Sequence, residues 1–287
     1  MPLPAVPDLM LVEIVFNSRA SVSKRGDARN TDRRRCYSAR VTEQAGPVQA
    51  TPTPLAPATI VAWTLAAANV GMFLALELSG GSESRRALIQ LGAKIGPLID
   101  QGQYWRLITA AFLHVGPGHL FFNLAALLTF GRLAEVIFGH SRFLVIYLLA
   151  AVASTVASYA FLPGLSVGAS GALFGIGGAL VVFYAINHRL SGPTGRSQLT
   201  GYAMLLAANA AFGFFQPGID NYGHLGGLVA GAVLGFFLAP RFVATPSEDS
   251  AMLDVRAESS PLISWLAAPA VALAIALVVF TIHGARS

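Results

Sequence analysis

Charge and sulfur are what this chain has least of. Only 11% of its 287 residues are Asp, Glu, Lys or Arg, while 54% are hydrophobic. A water-soluble domain carries about 25% charged residues, so a soluble globule is not expected. The single cysteine, Cys36, lies in a polar stretch. No disulfide can therefore close within the chain, and neither C-x-x-C redox chemistry nor a thiolate metal site has its ligands. Between Leu107 and Pro240 the acids and strong bases are Arg132, Glu135, Arg142, Arg189, Arg196 and Asp220, and no others. That stretch belongs in a bilayer. The net charge of +5 would suit nucleic acid or anionic lipid, yet Arg19, Lys24, Arg25, Arg29, Arg33, Arg34, Arg35 and Arg40 all precede position 55. The basicity describes a tail, and no nucleic-acid partner is expected.

What is present in quantity is apolar sequence in membrane-length runs. A spanning helix needs about 20 apolar residues, and spans are expected at 58–78, 118–138, 142–163, 168–187, 199–215, 221–240 and 262–282. The fold class is all-α, a polytopic membrane helix bundle. The fifth run is short and carries Asn209 and two glycines, so its ends are expected to reach into its flanks. Residues 1–55 lack the apolar core and cleavage site of a secretory signal, and read as a disordered, basic cytoplasmic tail. A mitochondrial presequence is the alternative, weakened by Asp8, Glu13, Asp27, Asp32 and Glu43.

The positive-inside rule sets the direction. With the amino terminus inside, fourteen of the basic residues are cytoplasmic and five (Arg85, Arg86, Lys94, Arg106 and Arg286) are outside. The expected topology is N-in and C-out, most simply in a bacterial-type plasma membrane. Helices two, four and six then all start at the outer surface. The first outer loop, Gly80 to about Gly118, holds Leu88, Ile89, Leu91, Ile95, Leu98, Ile99, Trp105, Leu107, Ile108 and Phe112, too many for a solvated loop. Short interfacial helices are expected there, with Trp105 at headgroup depth and Arg106 reaching phosphate or backbone carbonyls.

Strongly polar groups inside a membrane are costly and default to a functional reading. His119 and Asn123 in helix two, Ser170 in helix four and His224 in helix six each fall within the first turns of a span. Because those helices start on one side, the four groups converge roughly 5 to 9 Å below the outer boundary at 1.5 Å per residue. His119 and Asn123, four apart, share a helix face. Alone, each has a plain explanation: Ser170 as a packing residue, His224 and Asn123 as interhelical bonding, His119 as an interface residue. Together they are the parts of an acyl-transfer site. Gly168, Ser170 and Gly171 form a G-x-S-G turn at a helix start, where free N–H groups can stabilise a negative oxygen. Alanine at position 172 excludes the G-x-S-x-G elbow of soluble hydrolases. Gly223, Gly227, Gly231 and Gly235 give helix six a face without side chains, so helices four and six can approach closely.

In Trp105-Arg106, His119-x-x-x-Asn123, Gly131-x-x-x-Glu135-x-x-x-Gly139, Gly168-Ala169-Ser170-Gly171 and His224-x-x-Gly227-x-x-x-Gly231, the chain resembles the rhomboid family of intramembrane serine proteases over about residues 58–240. The resemblance implies a six-helix core at 56–240 with a serine–histidine dyad, followed by a linker at 241–261 and an additional seventh helix at 262–287. It implies Ser170 as nucleophile, His224 as general base and then acid, and His119, Asn123 and the Ser170 N–H as oxyanion donors. Gly168, Gly171, Gly227 and Gly231 are expected in close helix packing. Two positions depart from the family pattern: Phe174 stands where a tyrosine often stacks on the catalytic imidazole, and Gly223 where alanine is common. Phe174 retains the stacking role. Asp220, one turn before His224, is expected to be a solvated loop residue rather than the third member of a triad. Glu135 is expected to cap or pair with Arg132 or Arg142. The implied substrates are single transmembrane helices cut near their outer ends, with the bilayer as the other partner. No cofactor and no metal are expected, His114, His140, His188 and His283 being too scattered to gather as ligands. The competing readings are a non-catalytic rhomboid-like protein that binds membrane clients, and a small-molecule transporter, for which the paired half-sequences are missing.

Overall fold

The computed structural model describes residues 58–244, 252–254 and 261–286. The expected tail, 1–55, and most of the 241–261 linker lie outside the described residues. Helix α1, Ile60–Leu78, is an Ala/Leu-rich run that ends at Gly80 and Gly81, both at positive φ. Its first free N–H groups, those of Val61 and Ala62, donate to the two Glu135 carboxylate oxygens at 2.9 and 2.8 Å. Glu135 also binds the His140 ring. It caps as expected, but it caps a different helix, and the partner seen is His140.

The outer loop folds as its apolar content predicts. Helix α2, Arg85–Leu91, starts on Ser84, whose hydroxyl accepts from Ala87 N–H, and stops at Gly92, which lies at φ 108°. Helices α3, Gly96–Asp100, and α4, Arg106–Thr109, follow, then a 3-10 turn, Ala110–Phe112. The buried Arg106 guanidinium lies over the Trp105 ring and donates to the Ile89 and Ala93 carbonyls at 2.8 and 2.9 Å, so it takes backbone carbonyls. Lys94, with no exposed surface, donates to Ser158, Leu162 and Gly164 carbonyls and so caps the end of the third membrane helix. Burial pushes its ammonium down to about 8, against the opposing pull of Asp220.

The second span is built from α5, Gly116–Ala126, a wide π turn at Leu127–Gly131, and α6, Arg132–Phe138. Gly139, at φ 78°, breaks the chain into α7, His140–Phe161. The next helical element, α8, runs Ser170–Phe215 and is not one rod. A straight helix would separate Tyr184 from Tyr202 by about 27 Å, yet their rings stack at 5.7 Å, and Leu206 lies against Gly177. The chain therefore doubles back, and the midpoint of 184 and 202 falls at Pro193, whose ring cannot continue an ordinary helical hydrogen-bond ladder. The two expected runs at 168–187 and 199–215 are the limbs of this hairpin. Helix α9 is Asn221–Leu238, and α10 is Pro261–Arg286. Within the expected linker the described residues include a small antiparallel pair, Phe242–Ala244 with Met252–Asp254.

Among the described residues, six helical stretches are long and apolar enough to cross a membrane: Ile60–Leu78, Gly116–Phe138, His140–Phe161, Ser170–Asn187, Asn221–Leu238 and Trp265–Arg286. The run at 199–215 is not among them. At the centre, α8 and α9 touch backbone to backbone. A Cβ on Gly227 would overlap the Gly171 carbonyl, and one on Gly231 the Gly175 carbonyl. The far end of α10 returns to the end of α7, where Arg286 donates to the Tyr159 carbonyl at 3.0 Å and lies over the Tyr159 ring, and it also lies 3.9 Å from Asp100 of the outer loop.

Candidate active site

The close approach of α8 and α9 decides what their first turns can do. Ser170 is the first residue of α8, and His224 lies in the first turn of α9. With only glycine and serine between the two backbones, Ser170 Oγ and His224 Nε2 come to 2.8 Å, both groups half-buried. The Phe174 ring, one turn below Ser170 on the same helix face, stacks on the His224 imidazole at 4.3 Å and 14°. No side chain bonds His224 Nδ1, which is buried. The ring is thus oriented by a bond on one nitrogen and an aromatic face, without a third hydrogen-bonding member.

Asp220 does not reach that nitrogen. Its carboxylate caps α9, accepting from Gly223 N–H at 2.8 Å, and its other oxygen accepts from Ser166 Oγ at 2.7 Å. The expected solvated loop residue is a capping residue engaged on both oxygens.

His119 approaches the serine from α5. Its Nδ1 accepts a long, 3.4 Å bond from Val115 N–H, which puts the proton of the neutral ring on Nε2. That Nε2–H faces the Gly168 turn: a Cβ built on Gly168 would sit 2.9 Å from it and 3.8 Å from Ser170 Oγ. Gly168 was expected in helix packing, but its place is different. At φ 128° it forms the turn that delivers Ser170 to the helix start, and its missing side chain leaves room for the His119 ring. Gly171, Gly227 and Gly231 do lie in the helix contact. Asn123 is buried one turn below His119, its Nδ2 donating to the His119 carbonyl at 2.8 Å and keeping a second N–H. The first N–H groups of α8, with no helical acceptor, add further donors beside Ser170.

One neighbour was missed by sequence reasoning. His114 is fully buried, its ring 5.0 Å from that of His119, and its Nε2 accepts from Ala169 N–H at 3.4 Å. Burial, and then the nearby His119, hold its ring down to about 4, so it is neutral at ordinary pH. The only signal available in sequence was its fixed distance from His119, and a residue in a loop gives no face to read. Among the described residues no three His, Cys, Asp or Glu side chains gather as metal ligands.

A Rhomboid domain model matches residues 101–241. The chain is 42% identical over 173 residues to Rhomboid protease GluP of Bacillus subtilis (strain 168), covering 60% of this chain and 33% of that one. It is 38% identical over 157 residues to RHOMBOID-like protein 6, mitochondrial, of Arabidopsis thaliana, 54% of this chain and 50% of that one. To RHOMBOID-like protein 9, chloroplastic, of the same plant it is 34% identical over 187 residues, 61% and 42% of the two chains. The matches span between a third and a half of the length of these relatives. With its apolar helices and the domain match together, this chain is an integral membrane protein whose residues 101–241 match a Rhomboid domain.

Proposed function

We propose that the chain is an intramembrane serine endopeptidase that cuts transmembrane segments of other membrane proteins near their outer ends. The observation that carries this reading is the 2.8 Å contact between Ser170 Oγ and His224 Nε2 at the start of two abutting helices. With the His224 proton on Nδ1, Nε2 accepts the Ser170 proton as Oγ attacks the scissile carbonyl carbon. The resulting oxyanion is met by His119 Nε2–H, the Ser170 backbone N–H and the free Asn123 N–H. His224 then passes the proton to the leaving amine, and water, activated by the same nitrogen, releases the acyl group from Ser170.

While it carries the extra proton, the imidazolium lies against the face of Phe174, an attraction of the cation–π kind that replaces part of what a carboxylate does in a triad. The substrate backbone must unwind before cleavage, because a carbonyl already bonded within a helix cannot enter the donor set. The N-in, C-out orientation is part of this proposal. It is supported by the charge bias and by Arg286, at the end of α10, lying 3.9 Å from Asp100 of the outer loop.

The test is labelling of the full chain in detergent with a serine-directed fluorophosphonate, alongside cleavage of a reporter transmembrane helix. Wild type labels, while Ser170→Ala and His224→Ala neither label nor cleave, although both fold and insert. Clear residual cleavage by well-folded Ser170→Ala would defeat the assignment. A chain that binds the reporter but never labels is a client-binding protein instead.

A further inference from the structure

The contact between Ser166 and Asp220 repeats the register of the serine–histidine contact. Ser166 stands four residues before Ser170, and Asp220 four before His224, so both bonds join residues 54 apart in sequence. The first, Ser166 Oγ to Asp220 Oδ2, is 2.7 Å, and the second, Ser170 Oγ to His224 Nε2, is 2.8 Å. On the membrane side of the pair, the spacing of α8 and α9 is fixed by backbone contact, Gly227 against the Gly171 carbonyl. Farther out Gly171 still faces the Gly223 carbonyl, and beyond it the Ser166–Asp220 bond joins the two chain segments.

Both ends of this bond are themselves anchored. The Ser166 backbone pairs in both directions with Lys94 of the outer loop, each bond 3.1 Å. The Asp220 carboxylate holds Gly223 N–H, and its carbonyl accepts the His224 N–H at 3.0 Å. A dyad whose second imidazole nitrogen has no partner depends on its scaffold for alignment, since reacting groups must be held to a fraction of an ångström.

We infer that Ser166 and Asp220 form a positioning pair that sets the separation of Ser170 and His224 from the outer side, touching neither substrate nor reacting atoms. The inference rests on the protease reading above. Its test is the second-order rate of fluorophosphonate labelling of the full chain in detergent, measured with the thermal unfolding midpoint of each variant. Ser166→Ala and Asp220→Ala label about tenfold more slowly than wild type at a temperature where each is folded. Asp220→Asn stays within about threefold of wild type, because the amide oxygen still accepts from Gly223 N–H and its NH2 can donate to Ser166 Oγ. Ser166→Ala added to Asp220→Ala slows labelling no further, as expected for two groups acting through one bond.

Wild-type labelling rates in the alanine variants, with only the unfolding midpoint lowered, would reduce the pair to an ordinary helix cap and overturn the inference. Multiplying effects in the double variant would overturn it equally. Should Asp220→Ala fail to fold, Ser166→Ala against Asp220→Asn decides, since the Ser166 hydroxyl makes this one bond. An unlabelled wild type sinks the protease reading along with this one, whereas labelled wild type and unaffected variants sink only the positioning pair.

Discussion

Two membrane helices of this chain obey opposite rules. In Ser170–Asn187, 67% of residues are buried inside the protein, while in an 18-residue apolar stretch of Trp265–Arg286 the share is 6%. The buried helix carries Gly171, Gly175, Gly177 and Gly178, whereas the exposed one has Gly284 alone and turns Leu266, Leu273, Leu277, Val278 and Phe280 outward. In water this order would be reversed. In lipid, large apolar side chains gain nothing by leaving the hydrocarbon, so the interior goes to residues small enough to let backbones meet. The catalytic contact proposed here depends on that inversion: a serine and a histidine on two helices meet directly only if the helices nearly touch.

The largest effect should come from breaking the interior rule. Gly227→Leu drives a side chain into the Gly171 carbonyl, with backbone rather than a flexible neighbour in the way. A loss above about 4 kcal/mol is expected, or no folded protein at all, together with complete loss of fluorophosphonate labelling. Thermal unfolding in detergent and gel-filtration recovery measure it.

A second test uses the buried His114, held near 4 when folded and at the ordinary imidazole value of 6.5 when unfolded. The unfolded chain binds the proton first, so stability is fully present above 6.5 and falls as pH drops from 6.5 to about 4. The swing is on the order of 3 kcal/mol. His114→Gln should flatten that part of a stability–pH curve, and an unchanged curve would show that the ring is not buried neutral.

Smaller again is Arg286→Ala, which removes the tie between the end of α10 and the Tyr159 carbonyl and ring. About 1 kcal/mol is expected, with labelling retained. On the same helix, Leu277→Ala on the lipid-facing side should move the unfolding midpoint by almost nothing. If Leu277→Ala cost as much as a core truncation, α10 would have to be covered by protein, and the contrast between the two helices would disappear.

Much of this was legible before any coordinates. Apolar runs of spanning length mark helices because hydrocarbon leaves the backbone no other way to satisfy its polar groups, and the four-residue glycine period of α9 marks a face because 3.6 residues make a turn. The hairpin inside Ser170–Phe215 was legible too, as two separate apolar runs at 168–187 and 199–215. Other features were not. Glu135 reaches across to the start of α1, and Asp220 to Ser166, partners 73 and 54 residues away that no local spacing encodes. Gly168 reads the same in sequence whether it packs a helix or bends a turn, and only its φ of 128° separates the two.

Composition and spacing by themselves determined that this chain lives in a membrane, which polar residues are anomalous there, and that they enter at one level, because those facts follow from transfer energies and helical pitch. Tertiary structure alone decided that His114 supports the serine turn and that Asp220 bonds Ser166 rather than the imidazole, while the meeting of His224 with Ser170 and Phe174 was implied beforehand by resemblance. Which way a side chain turns, and what meets it, depends on the packing of neighbours far away in the chain.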